Sequence, residues 1–158
     1  MGRWHVIYAS VIGALAIALV VMLWLFVLTG KTTAVPGDTR QAIVLEPAEQ
    51  ALIRTEMRRF LAAVQAIIAA ALHDDPAAIA QAARAQGMAA AGQVPARLAA
   101  KLPIGFKQIG HGVHHEFDRI AIDAEAIGDG KLALSQLAET LNRCIACHSA
   151  YQLAPAGS

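Results

Sequence analysis

Cys144-Ile145-Ala146-Cys147-His148 holds both cysteines of this 158-residue chain, followed directly by a histidine. On a helix the two thiols lie one turn apart, and His148, four residues after Cys144, shares their face. A disulfide across so short a loop would remove little chain entropy. Three chemistries use such a set. A redox dithiol is expected beside a βαβ pattern, and no such pattern surrounds these residues. A zinc site needs a second ligand pair, for which only the His111 to His115 stretch is available. The third is C-x-x-C-H, the attachment pattern of c-type haem: two sulfurs reach two vinyl groups on one porphyrin edge, and the imidazole reaches the iron. The expected cofactor is one haem c, covalently bound through two thioethers to Cys144 and Cys147, with His148 as a metal ligand.

Such a group needs elements that carry it into an apolar interior. From Pro47 onward the chain is alanine-rich with a helical period and no convincing alternation of period two. A first helix begins at Pro47, with Glu49 in its first turn, and its apolar seam is Ile53, Met57, Phe60, Val64, Ile67 and Ala71. It stops near His73, where Asp75 caps and Pro76 opens a second helix running to about Ala91. A third helix covers about Ile104 to Ile127, with seam Phe106, Ile109 or Gly110, Val113, Phe117, Ile120, Ala124 and Ile127. The turn Gly128-Asp129-Gly130 leads into a fourth, from Lys131 to about Leu153, with seam Leu134, Leu137, Leu141, Cys144, His148 and Tyr151. Four amphipathic helices with mostly short connections predict an all-α fold, an antiparallel four-helix bundle.

The N-terminal part reads differently. Val6 to Leu28 is almost wholly apolar and as a helix would span about 35 Å, enough for a hydrocarbon core of ~30 Å. Trp4, Tyr8 and Trp24 lie near its ends, where amphipathic rings settle at an interface. The run exceeds a signal-peptide core, so the bundle is expected to follow a single N-terminal transmembrane helix. The resulting organisation is an anchor at 1–29, a linker at 30–45 around Pro36-Gly37-Asp38, and a haem-binding helical domain at 46–158. A formal charge of +1 and the lack of a basic cluster give no reason to expect nucleic acid as a partner.

The stretch from Pro47 to Leu153, with C-x-x-C-H near the end of its last helix, resembles the cytochrome c′ family. The resemblance covers about two-thirds of the chain. It implies a four-helix bundle around the haem and attachment on the outer side of a bacterial inner membrane. Met1 would then be cytoplasmic and the haem domain periplasmic, with the inner membrane as a partner through one helix. Two features depart from the family: Gln152 stands where a basic residue usually follows the motif histidine, and many members lack an anchor. The resemblance also implies that Met57 faces the iron from the side opposite His148, as first-helix methionines do in six-coordinate members. Arg54, one turn earlier, matches a first-helix arginine that approaches a haem propionate. The bland readings are a core-filling Met57 and an ordinary surface Arg54.

What fills the sixth position decides the function. A methionine there raises the reduction potential and suits outer-sphere electron transfer; an open position binds a small gas. Met57 is the first candidate and Met88 the second, while His111, His114 and His115 cluster on the third helix and His73 ends the first. The expected function is a monohaem cytochrome carrying electrons between redox partner proteins of a respiratory or photosynthetic chain, not an enzyme. The alternatives are a five-coordinate NO- or CO-binding protein and a structural haem subunit. A homodimer or a place in a larger membrane complex are the assemblies open to it.

Overall fold

Pro36-Gly37 bends the chain back on itself, with Gly37 at φ +81°, the left-handed region where a glycine pays no Cβ clash. The turn joins strand β1 (Thr32–Val35) to strand β2 (Asp38–Leu45) as an antiparallel hairpin. The computed structural model describes residues 2–24, 30 and 32–156. Its first element is helix α1 (Gly2–Leu23). After the hairpin come α2 (Pro47–Leu72), α3 (Pro76–Arg84), the single turns α4 (Met88–Ala91) and α5 (Ala96–Ala99), α6 (Ile104–Ala126) and α7 (Gly130–Ala150). Strand β3 (Tyr151–Pro155) closes the chain against β2 in parallel, giving a sheet of order β1-β2-β3.

Local chemistry sets the helix ends. The Glu49 carboxylate accepts from the Glu46 N–H at 3.0 Å while Pro47 opens α2. At the other end the Asp74 N–H donates to Ala71 O and the Asp75 N–H to Ala70 O, a Schellman closure. The Asp75 carboxylate then accepts from Ala78 N at 2.9 Å and starts α3. Asp129 does the same for α7, accepting from Lys131 N and Leu132 N.

Two cores result. The larger one joins α2, α3, α6 and α7 through Phe60, Ile67, Ile79, Phe117, Ile120 and Leu137. The smaller one joins the sheet to the base of α2 and the α5 region through Ile43, Leu45, Ile53, Leu98 and Leu102. Met57 packs against both.

The expected architecture needs three corrections. The chain is mostly helical but not all-α: a three-stranded sheet is part of it. Residues 30–45, read as a linker, contain the hairpin, and Tyr151 to Leu153, read as the end of the fourth helix, belong to the strand Tyr151–Pro155. Tyr151 leaves the helix at φ −130° and ψ 150°, because its backbone joins β2, with Gln41 opposite Tyr151 and Ile43 opposite Leu153. The second helix also stops at Arg84 rather than near Ala91; the Asp118 carboxylate caps a new turn by accepting from Met88 N at 2.9 Å.

The third correction concerns the transmembrane helix. Among the described residues no helix is long and apolar enough to cross a membrane. Helix α1 carries Arg3 and His5 in its first turns and ends at Leu23, and the last part of the predicted span, 25–28, lies outside the described residues. From Ile7 to Leu23 a helix rises about 25 Å, less than a ~30 Å hydrocarbon core. The single-pass inner-membrane placement, with a cytoplasmic N-terminus and a periplasmic haem domain, rested on that span and falls with it.

Candidate functional site

The last turns of α7, the first half of α2, the start of α6 and the β2–β3 pair meet around one cleft. A cavity of about 470 Å³ is lined there by Met57, Arg54, Cys147, His148, Phe106 and Tyr151, among others. A smaller one of about 70 Å³ adjoins it, sharing Met57, Phe106, Cys147 and His148 and adding Cys144 and His114. Residues some ninety positions apart, the α2 pair and the α7 trio, thus line one space. The volume lies in the range of small-molecule and cofactor sites.

The α7 wall carries the two cysteines and the histidine of the C-x-x-C-H motif. Cys144 and Cys147 are free and half-buried, and His148 is exposed at the lip. Burial pushes the Cys144 thiol up, and burial with the neighbouring Cys144 pushes Cys147 up to about 11. Both are therefore protonated thiols at neutral pH. Reactive dithiols and nucleophilic cysteines instead sit where the thiolate is favoured. Among the described residues no group of three or more His, Cys, Asp or Glu side chains is placed to hold a metal ion by itself.

On the α2 wall Met57 is half-buried between the two cores. Arg54 is held from behind: its Nη2 donates to Gln50 Oε1 at 2.8 Å, and buried Gln50 donates through Nε2 to Leu45 O at 3.1 Å. The strand thereby aims an arginine of the helix. Opposite it, Phe106 and Tyr151 meet edge-on with ring centroids 5.6 Å apart.

His114 closes the inner end. It is 5 % exposed, and its Nδ1 lies 2.7 Å from Gln86 O and its Nε2 3.2 Å from Glu56 Oε1. Both partners are acceptors, an environment that favours the imidazolium form, in which both ring nitrogens carry hydrogen. Burial alone would push its pKa down; hydrogen bonds to Glu56 and to the Gln86 carbonyl outweigh that and raise it. Its nitrogens are thereby engaged and not directed to a metal. His111, His115 and His73 are exposed, and Met88 lines neither cavity of the cleft.

The cleft thus brings together Cys144, Cys147, His148, Met57 and Arg54, all singled out by sequence. It adds Arg40 and Arg58. Arg58 was legible in principle, four residues after Arg54 on the same helix face. Arg40 was not, because it depends on a strand that the sequence did not reveal. A separate cavity of about 520 Å³, on the other side of α2 between Leu52, Arg59, Gln86 and Gln93, contains none of these residues.

The residues present fit a covalently held haem: two protonated thiols one turn apart at a cleft edge, an imidazole beside them, a thioether on the facing helix, and guanidinium groups at the mouth. Comparison of the chain with protein-family models, with curated proteins and with solved structures finds no match.

Proposed function

We propose that this chain is a monohaem c-type cytochrome that carries electrons between redox proteins, akin to a six-coordinate cytochrome c′. The observation that carries the reading is the shared cleft: C-x-x-C-H on the last turns of α7 faces the same space as Met57 and Arg54 of α2. Haem c, when bound, supplies an iron that takes up and releases one electron.

The chain's own residues have distinct parts in this reading. Cys144 and Cys147 would hold the group through two thioethers, a linkage in which thiol and vinyl group combine with no atom lost and no external oxidant. The raised thiol pKa values suit residues kept as thiols until that reaction. His148, at the cleft lip, would offer an imidazole nitrogen to the iron. Met57, on the α2 wall, would offer its thioether to the iron, a ligand type that raises a haem's reduction potential. Arg54, steadied by Gln50, offers its guanidinium to a carboxylate. Phe106 and Tyr151 keep the cleft wall apolar and exclude water.

The test is the visible spectrum of the ferrous protein with and without carbon monoxide, in wild type and Met57→Ala. The reading predicts a low-spin wild type that ignores the gas and a variant that binds it at lowered potential. A wild type that is high-spin and shifts on adding the gas would instead make it a gas-binding haem protein.

A further inference from the structure

The larger cavity of the cleft is lined by three arginines, Arg40, Arg54 and Arg58, and by no aspartate or glutamate. This is unusual in a chain whose acidic and basic residues nearly balance, at a formal charge of +1. Three arginine side chains lining one half-enclosed space carry like charges that an anion would offset. Among the described residues the hydrogen-bond partners of Arg54 and Arg58 are neutral, Gln50 Oε1 and Thr55 Oγ1, each at 2.8 Å. Arg40 alone has a carboxylate: its Nε lies 3.1 and 3.2 Å from the two Asp38 oxygens, and its Nη2 lies 2.6 Å from Oδ2.

The sheet explains why Arg40 is here. Gln41 pairs with Tyr151 and Ala42 with Gln152, so Arg40 stands one residue before the β2–β3 pairing begins, beside the point where α7 becomes β3, three residues after His148. Gln152 lines the same cavity, and its side chain borders the Asp38 carboxylate that holds Arg40. The cleft wall therefore carries three guanidinium-bearing side chains, a group suited to planar carboxylates.

We propose that strand residue Arg40, together with Arg54 and Arg58, clamps the carboxylates of the haem, and that the sheet exists on this domain to mount that clamp. The inference rests on the haem reading and adds a binding residue outside the helices. Asp38 then competes with the haem carboxylates for Arg40 and tunes the clamp.

The experiment compares the reduction equilibrium of three holoproteins, wild type, Arg40→Gln and Asp38→Asn, at 0.05 M and 1 M salt. A cation bound to a haem carboxylate favours the ferrous state. Arg40→Gln should raise the ferric-to-ferrous ratio at fixed potential about three- to tenfold, tenfold being 59 mV for one electron. Asp38→Asn should move the ratio the opposite way. Both shifts should survive 1 M salt, where the screening length is only about 3 Å and a field acting from a distance is lost. The clamp is overturned if both ratios stay within about twofold of wild type while both variants melt earlier, which would make the pair a hairpin fastener. It is also overturned if the shifts vanish at high salt. Should Arg40→Gln not accumulate, Asp38→Asn decides alone by the same criteria. A wild type that carries no covalent haem refutes the parent reading instead, so the two failures are distinguishable.

Discussion

Replacing His114 by leucine removes a buried cation from the inner wall of the cleft while keeping similar volume. The wild-type ring donates to Gln86 O at 2.7 Å and to Glu56 Oε1 at 3.2 Å, and it packs on Phe60 with centroids 5.1 Å apart. Losing one charge-assisted and one neutral hydrogen bond costs on the order of 2–4 kcal/mol. The Glu56 side chain remains 21 % exposed and can recruit water, so the lower half of that range applies, about 2–3 kcal/mol. For a chain of this size that is a fall in Tm of roughly 4–12 °C. The effect depends on pH in a stated direction. The folded protein raises the His114 pKa above its ordinary 6.5, so the stabilisation is fully present below that value. It is lost as pH rises through the folded-state pKa. Thermal melts followed upward from pH 5.5 should therefore show a gap between wild type and His114→Leu that is widest at the lowest pH and narrows as pH rises, towards about 1 kcal/mol, the worth of the neutral hydrogen bond that survives. A gap that stays constant over the whole range in which the protein remains folded would refute the assignment of an imidazolium at this position.

Two further substitutions test the local account. Asp74 sits at φ +51°, the left-handed position of the Schellman closure after α2, so Asp74→Gly should stabilise the protein by about 0.5–1 kcal/mol in denaturant titration; a loss of stability would contradict the strain argument. A Cβ on Gly105 would lie 2.5 Å from the Tyr151 hydroxyl, so Gly105→Ala should cost about 1–2 kcal/mol by displacing a ring of the cleft wall. The added change Tyr151→Phe should restore most of that loss, and failure of the rescue would mean that the clash lies elsewhere.

Helical periodicity carried much of the fold, and it failed where the structure depends on distant partners. Ile53, Phe60 and Ile67 of α2 and Val113, Phe117, Ile120 and Ala124 of α6 are buried as a 3.6-residue period demands. On α7 the seam is turned by one residue: Ala133, Gln136, Leu137 and Thr140 face inward, and Leu141 is exposed. Buried Thr140 is tolerated because its hydroxyl donates back to Gln136 O at 3.0 Å. Strand β2 gave no signal because Ala42 and Ile43 are both buried, so polar and apolar residues do not alternate. Its partner β3 lies more than a hundred residues away, beyond any local pattern. Hydropathy over 6–28 suggested a membrane span, whereas among the described residues no helix is long and apolar enough to cross one. The C-x-x-C-H motif needed no tertiary information to be noticed, since its spacing is satisfied within one helix. Met57 was legible from its seam, and Arg40 was hidden with the sheet that bears it.

The central claim is that Cys144 and Cys147 hold one haem. The direct measurement is the intact mass of the full chain, produced in a host that matures c-type cytochromes, beside Cys144→Ala and Cys147→Ala. The account predicts that the wild type gains the mass of one whole haem, with no atoms lost, and keeps it through denaturation in acid. Each single variant should hold its haem by one bond or lose it, with an altered absorption of the pyridine complex. Recovery of the wild type at the mass of the bare polypeptide, or two mass units lower with the cysteines joined, would contradict the account.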